Sequence, residues 1–182
     1  QLNNHHPSGS MNLKTTITDS QVIIEDFTKV PGMKFDEHIR TSMDVDSGQI
    51  LTSTISGHYG ESPIDVYLAA NDQGISGKIL AKNKDGKHEL RPVSMPFEGF
   101  VFERAALFGF VHALPLKNNH IMHAQALDTL SWRLNKLTIK VGKLTTVTVP
   151  GGTFNAWPVS LLGAPITQVI YVSNEAKRRI VK

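Results

Sequence analysis

Turn residues recur along the first half of this chain at the spacing of a β meander, and no other feature restricts the fold as much. Val30-Pro31-Gly32, Asp46-Ser47-Gly48, Asp72-Gln73-Gly74 and Lys84-Asp85-Gly86 each interrupt a segment rich in β-branched residues. Glycine accepts the positive φ that tight connections demand, and Asp and Asn bond to nearby backbone. The segments between them, 21–27, 34–44, 49–59, 65–71, 75–81 and 87–91, are therefore expected to be antiparallel strands. Farther on, Leu137, Ile139 and Val141 alternate with Lys136, Thr138 and Lys140, the period of a half-buried strand. Strands are also expected over 145–149, 154–161, 168–173 and 178–182.

One stretch breaks this period. Phe97 to Ala113 is rich in Phe, Ala and Leu, and its pattern predicts a helix. Ser94 suits the N-cap, Pro96 the first turn, Glu98 the positive end of the dipole, and Pro115 the exit. On a wheel, Phe97, Phe100, Val101, Leu107, Phe108 and Val111 share one side; Ala105, Ala106, Gly109 and Ala113 gather near the other. A helix apolar nearly all round must be buried. The economical solution is mainly β: an antiparallel β-barrel, or a strongly curved sheet, of roughly ten short strands around one central apolar helix. Phe100, Leu107, Phe108, Leu137, Ile139, Val147 and Trp157 form the expected core. Residues 1–20 are expected to be a flexible arm, and 21–182 a single β-rich domain.

Composition excludes several functions. Net charge is +3, from 19 Lys and Arg against 16 Asp and Glu, too slight an excess for a nucleic-acid partner. The basic residues cluster only at Lys177, Arg178, Arg179 and Lys182, a solvated edge or, alternatively, a surface for an anionic partner. With no cysteine, disulfides, thiolate catalysis and Cys-based zinc sites are ruled out. The longest apolar run, Phe97 to Leu116, contains Glu103, Arg104 and His112, so no membrane-spanning helix is expected. The chain starts at Gln1, and a signal peptide is expected to have been removed.

Two sequence regions resemble a known family. Thr146-Val147-Thr148-Val149-Pro150-Gly151-Gly152-Thr153-Phe154 resembles a strand–turn–strand of the family called domain of unknown function 3108. The end, Tyr171-Val172-Ser173 followed by Arg178-Arg179-Ile180-Val181-Lys182, is similar too, as is the helix exit Leu114-Pro115-Leu116. The C-terminal half matches best. The resemblance implies an exported bacterial protein with a barrel-like fold, in the periplasm or elsewhere in the envelope. It supplies no catalytic residues.

Chemistry is sparse. Gly-x-Ser-x-Gly, Walker loops and dinucleotide fingerprints are absent. His120 and His123, three apart, would share one face of a helical turn and are weak metal candidates, with Asp128 as a third ligand. The pair His5-His6 is read as incidental, and neither a bound metal nor a cofactor is expected. Arg104 falls among bulky apolar residues, where a guanidinium needs a fixed partner or an anionic ligand. Arg104, His112, Phe100 and Phe108 are the candidate ligand-binding residues. The leading expectation is a non-catalytic envelope protein whose partner is an apolar or lipid-like ligand, or another envelope protein. The alternative is an envelope hydrolase acting through His and carboxylate groups.

Overall fold

The computed structural model describes residues 9–129, 131–163 and 167–182. The chain is mainly β and divides into two compact units, 1–98 and 99–182, where sequence reasoning drew one domain over 21–182.

The first unit is one seven-stranded antiparallel sheet in sequential order. Its strands are β1 (Ser10–Ile17), β2 (Gln21–Val30), β3 (Phe35–Asp44), β4 (Ile50–Tyr59), β5 (Ser62–Asn71), β6 (Gly74–Lys82) and β7 (His88–Met95). Polar side chains build the connections. Thr18 Oγ1 accepts from the Gln21 N–H, Asn71 Oδ1 from that of Gln73, and Asn83 Oδ1 from those of Asp85 and Lys87. Asp44 Oδ1 accepts from both the N–H and the hydroxyl of Ser47, and these bonds hold its carboxyl below the usual carboxylate value. Gly57 is needed where it stands: its φ is +142°, and a Cβ there would lie 2.0 Å from the Asp36 carbonyl oxygen.

Register puts Ile24, Asp26, Glu37, Ile39, Thr41, Ser53, Ile55, Val66, Leu68 and Ile75 on one face of this sheet, and all are buried. This face is not purely apolar. Thr41 and Ser53, paired across β3 and β4, share a hydroxyl–hydroxyl bond of 3.0 Å, and the Thr28 hydroxyl donates to Asp26. On the other face Phe27 stacks on His38, ring centroids 4.2 Å apart.

The expected arm is corrected over its second half, because Ser10–Ile17 pairs along its whole length with β2. Almost every residue of β1 is exposed, so burial left no apolar pattern to read; backbone pairing, with a Lys14–Glu25 ion pair across it, orders the strand. Residues 1–8, with His5 and His6, lie outside the described residues.

The second unit holds β8 (Val101–Phe102), helix α1 (Arg104–Phe110), β9 (Ile121–Asp128), β10 (Arg133–Val141), β11 (Thr145–Val149), β12 (Gly152–Leu162) and β13 (Gln168–Ser173). Here order in space departs from order in sequence. β9 is flanked by β10, antiparallel, and by β8, parallel. β10 and β11 lie end to end along one edge of β12, and β13 takes the other. The chain changes course at Gly142, whose N–H donates to the Pro158 carbonyl. Neither unit closes into a barrel.

The helix is shorter than expected. It spans Arg104–Phe110 instead of 97–113. Its N-cap is Glu103, not Ser94, which lies in β7. The buried Glu103 carboxylate accepts from the Ala105 and Ala106 N–H groups at 2.8 and 2.6 Å, satisfying two donors that a helix start leaves free. Val101 and Phe102 pair with β9 instead, and strand pairing is incompatible with helical φ and ψ. Leu107, Leu137, Ile139 and Val147 are buried, as expected. Phe100 is 38 % exposed and Phe108 and Trp157 are half-buried, so those three leave the core list. No described helix is long and apolar enough to cross a membrane.

Candidate functional site

Of the four residues singled out by sequence, Arg104 and Phe108 lie in α1, Phe100 precedes β8 and His112 follows the helix. The Phe100 ring lies parallel to Phe102 at 6.1 Å and 6.4 Å from Phe110. The wheel had grouped Phe100 with Phe108, but Phe100 is outside the helix, and Phe110 takes that place, 4.6 Å from Phe102. Arg104, the first residue of α1, is half-buried.

His112 lies past the helix, beside a contact the sequence did not suggest. One nitrogen of Arg178, Nη1, donates to the carbonyls of His112 at 2.7 Å and Leu114 at 2.8 Å. These carbonyls belong to the turn that follows α1, and a guanidinium, with several N–H donors in one plane, can satisfy both. Burial pushes the His112 imidazole below the ordinary histidine value; a hydrogen bond with the Arg178 backbone opposes this, and the Arg178 charge adds to it.

The histidine pair is also corrected. His123 lies in strand β9, not on a helical turn, and His120 directly precedes that strand. Along extended chain, residues three apart point to opposite sides. His123 Nδ1 lies 3.3 Å from the Thr138 hydroxyl, and among the described residues no three His, Asp or Glu side chains form a metal-holding group. Asp128 instead accepts from the Ser131 N–H and hydroxyl.

The two motifs that carry the family resemblance converge. After β13 the chain bends at 174–177 and returns along it: Ser173 donates to the Arg179 carbonyl, Val181 to that of Tyr171, and Tyr171 to that of Lys182. This is a return segment held by one bridge, Val172 to Ile180, not the full strand expected over 178–182. It meets the turn between β11 and β12. Together they line an open depression of about 390 Å³, formed by Val149, Pro150, Gly151, Phe154, Arg179, Ile180 and Val181. Its lining is mostly apolar, with one cation. The Arg179 guanidinium lies 5.2 Å from the Phe154 ring centroid and forks onto Glu175 at 2.7 to 3.1 Å. Its backbone N–H donates to the Ser173 hydroxyl, which is fully buried. The basic end is therefore engaged within its own unit, with Arg178 on the carbonyls of His112 and Leu114, Arg179 on Glu175 and Phe154, and Lys182 over Tyr171. Sequence marked both motifs but had no signal for their meeting.

No family model matches the chain, and no curated protein matches it. Among solved structures it is similar to a DUF1089 family protein from Pseudomonas aeruginosa, with 13% identity over 95% of this chain and 88% of that one, at a TM-score of 0.49.

Proposed function

We propose that the protein is a non-catalytic envelope protein that binds an apolar or amphipathic ligand, and that the depression beside the β11–β12 turn receives it. The observation behind this reading is the lining of the depression: aliphatic and aromatic side chains with a single guanidinium at its side. Small-molecule sites have this composition, an apolar wall with a few placed polar groups, and fall in this range of size. The binding residues are then Val149, Phe154, Arg179, Ile180 and Val181, instead of Arg104, His112, Phe100 and Phe108. The periplasmic or other envelope location rests on the resemblance of these same two motifs to an exported family.

Titration with a neutral naphthylamine probe tests the binding half. Wild-type protein should enhance and blue-shift its fluorescence, and Val149→Glu, which puts a charge into the apolar wall, should abolish the signal while the circular-dichroism spectrum is kept. Equal binding by both proteins would place the ligand elsewhere. Fractionation of cells of the native host tests the location, and recovery in the cytoplasm alone would overturn it.

A further inference from the structure

The Arg179 guanidinium already holds a carboxylate. Glu175 meets it through Nε at 3.1 Å and through Nη2 at 3.0 and 2.7 Å, the fork that matches a planar carboxylate. The two partners are not held alike. Arg179 is anchored: its N–H and carbonyl both bond to Ser173, and the Phe154 ring lies beneath its guanidinium. Glu175 sits in the bend between β13 and the return segment, outside any strand. Both side chains are about half exposed, 55% and 46%. An exposed ion pair contributes little net stability, because water and salt compensate its loss.

We propose that Glu175 occupies the position of a ligand's head group. The ligand class is then a monocarboxylate carrying a single apolar chain. Its chain covers Phe154, Val149, Ile180 and Val181, and its carboxylate replaces that of Glu175 on Arg179. Exchanging one carboxylate for another is nearly neutral, so the buried chain decides the outcome. Glu175 sets a threshold: it excludes small carboxylates, which have the head group but no chain. This assignment rests on the binding reading above and adds the head group and its competitor.

Calorimetric titration with dodecanoate and dodecanol, each below its aggregation concentration, tests it on the full chain. Glu175→Gln keeps the shape and removes the competing charge. It should tighten dodecanoate binding about two- to fivefold, the worth of one exposed ion pair, and leave dodecanol unchanged. Adding Arg179→Met should erase the gain. If wild type binds dodecanoate and Glu175→Gln does not strengthen it, the head-group assignment is wrong and the binding reading stands. If neither compound binds wild type or Glu175→Gln, both are overturned.

Discussion

The two units solve the same problem, ordering a sheet, by different means. In the first, each strand pairs with its neighbour in sequence, and short polar turns built by Thr18, Asp44, Asn71 and Asn83 supply the connections. In the second, β8 reaches its parallel partner β9 only across the helix, and β10 pairs with β12 past the intervening β11. Their buried groups differ as well. The first unit buries hydroxyls and carboxylates on its inner face, and the second buries mainly aliphatic and aromatic side chains. Local order can be built by turn chemistry. Non-local order has to be secured by packing and by a few long-range polar ties.

The largest effect should come from the second unit's packing. Phe102→Ala, at a site 1% exposed, should destabilise by about 3–5 kcal/mol in equilibrium denaturation. Phe100→Ala, at a ring 38% exposed, should cost clearly less. Equal losses would return Phe100 to the core in which its sequence pattern places it.

The long-range tie comes next. Arg178→Met leaves the carbonyls of His112 and Leu114 without their donor and should cost about 1–3 kcal/mol. Arg178→Lys should recover only part of this, since an ammonium lacks the planar fork. A loss below about 0.5 kcal/mol would mean that α1 needs no tie to the C-terminal segment.

In the first unit the corresponding test is the buried hydroxyl pair. Thr41→Val or Ser53→Ala alone should cost about 1–2 kcal/mol by removing the buried hydroxyl–hydroxyl bond. The double substitution should cost less than the sum, and strict additivity would show that the two do not act as a pair.

The smallest effect is a pH dependence confined to the second unit. His112 has a depressed value when folded, so the unfolded chain binds the proton more readily. Its contribution is present above the ordinary value of 6.5 and is lost as pH falls from there through the folded value. His112→Gln should flatten the stability profile below the ordinary value of 6.5. An unchanged slope would assign that dependence to other groups.

Much of the first sheet was legible because its causes are local. Asp72-Gln73-Gly74 and Lys84-Asp85-Gly86 mark turns wherever they occur, and the strands between them are found within a few residues of their expected ends. β1 was not legible, since an exposed edge strand carries no buried period. β9 was hidden for another reason: Ile121-Met122-His123 reads as a polar connection until β8 and β10 pair with it on both sides. The Val149 to Phe154 turn and the Arg178 to Lys182 end stand out in the sequence as motifs, whereas its ligand-binding candidates, Arg104, His112, Phe100 and Phe108, are not among the residues that line the depression. A helical wheel cannot show that Arg178 bonds to the carbonyls that follow α1 or that Arg179 lies over Phe154.

The sequence alone determined the strand-rich class, most of the meander's turns, the absence of disulfides and the buried alternation of Leu137, Ile139 and Val141. Each follows from residue type or from a period within a few neighbours. Only the tertiary structure decided that Val101 and Phe102 leave the helix for a parallel pairing, that Glu103 becomes its cap, and that two motifs more than twenty residues apart line one depression. The physical reason is competition for backbone partners. Phe97 to Ala113 is compatible with a helix throughout, and its first residues become a strand because β9 offers hydrogen bonds to an edge that sequence neighbours do not supply.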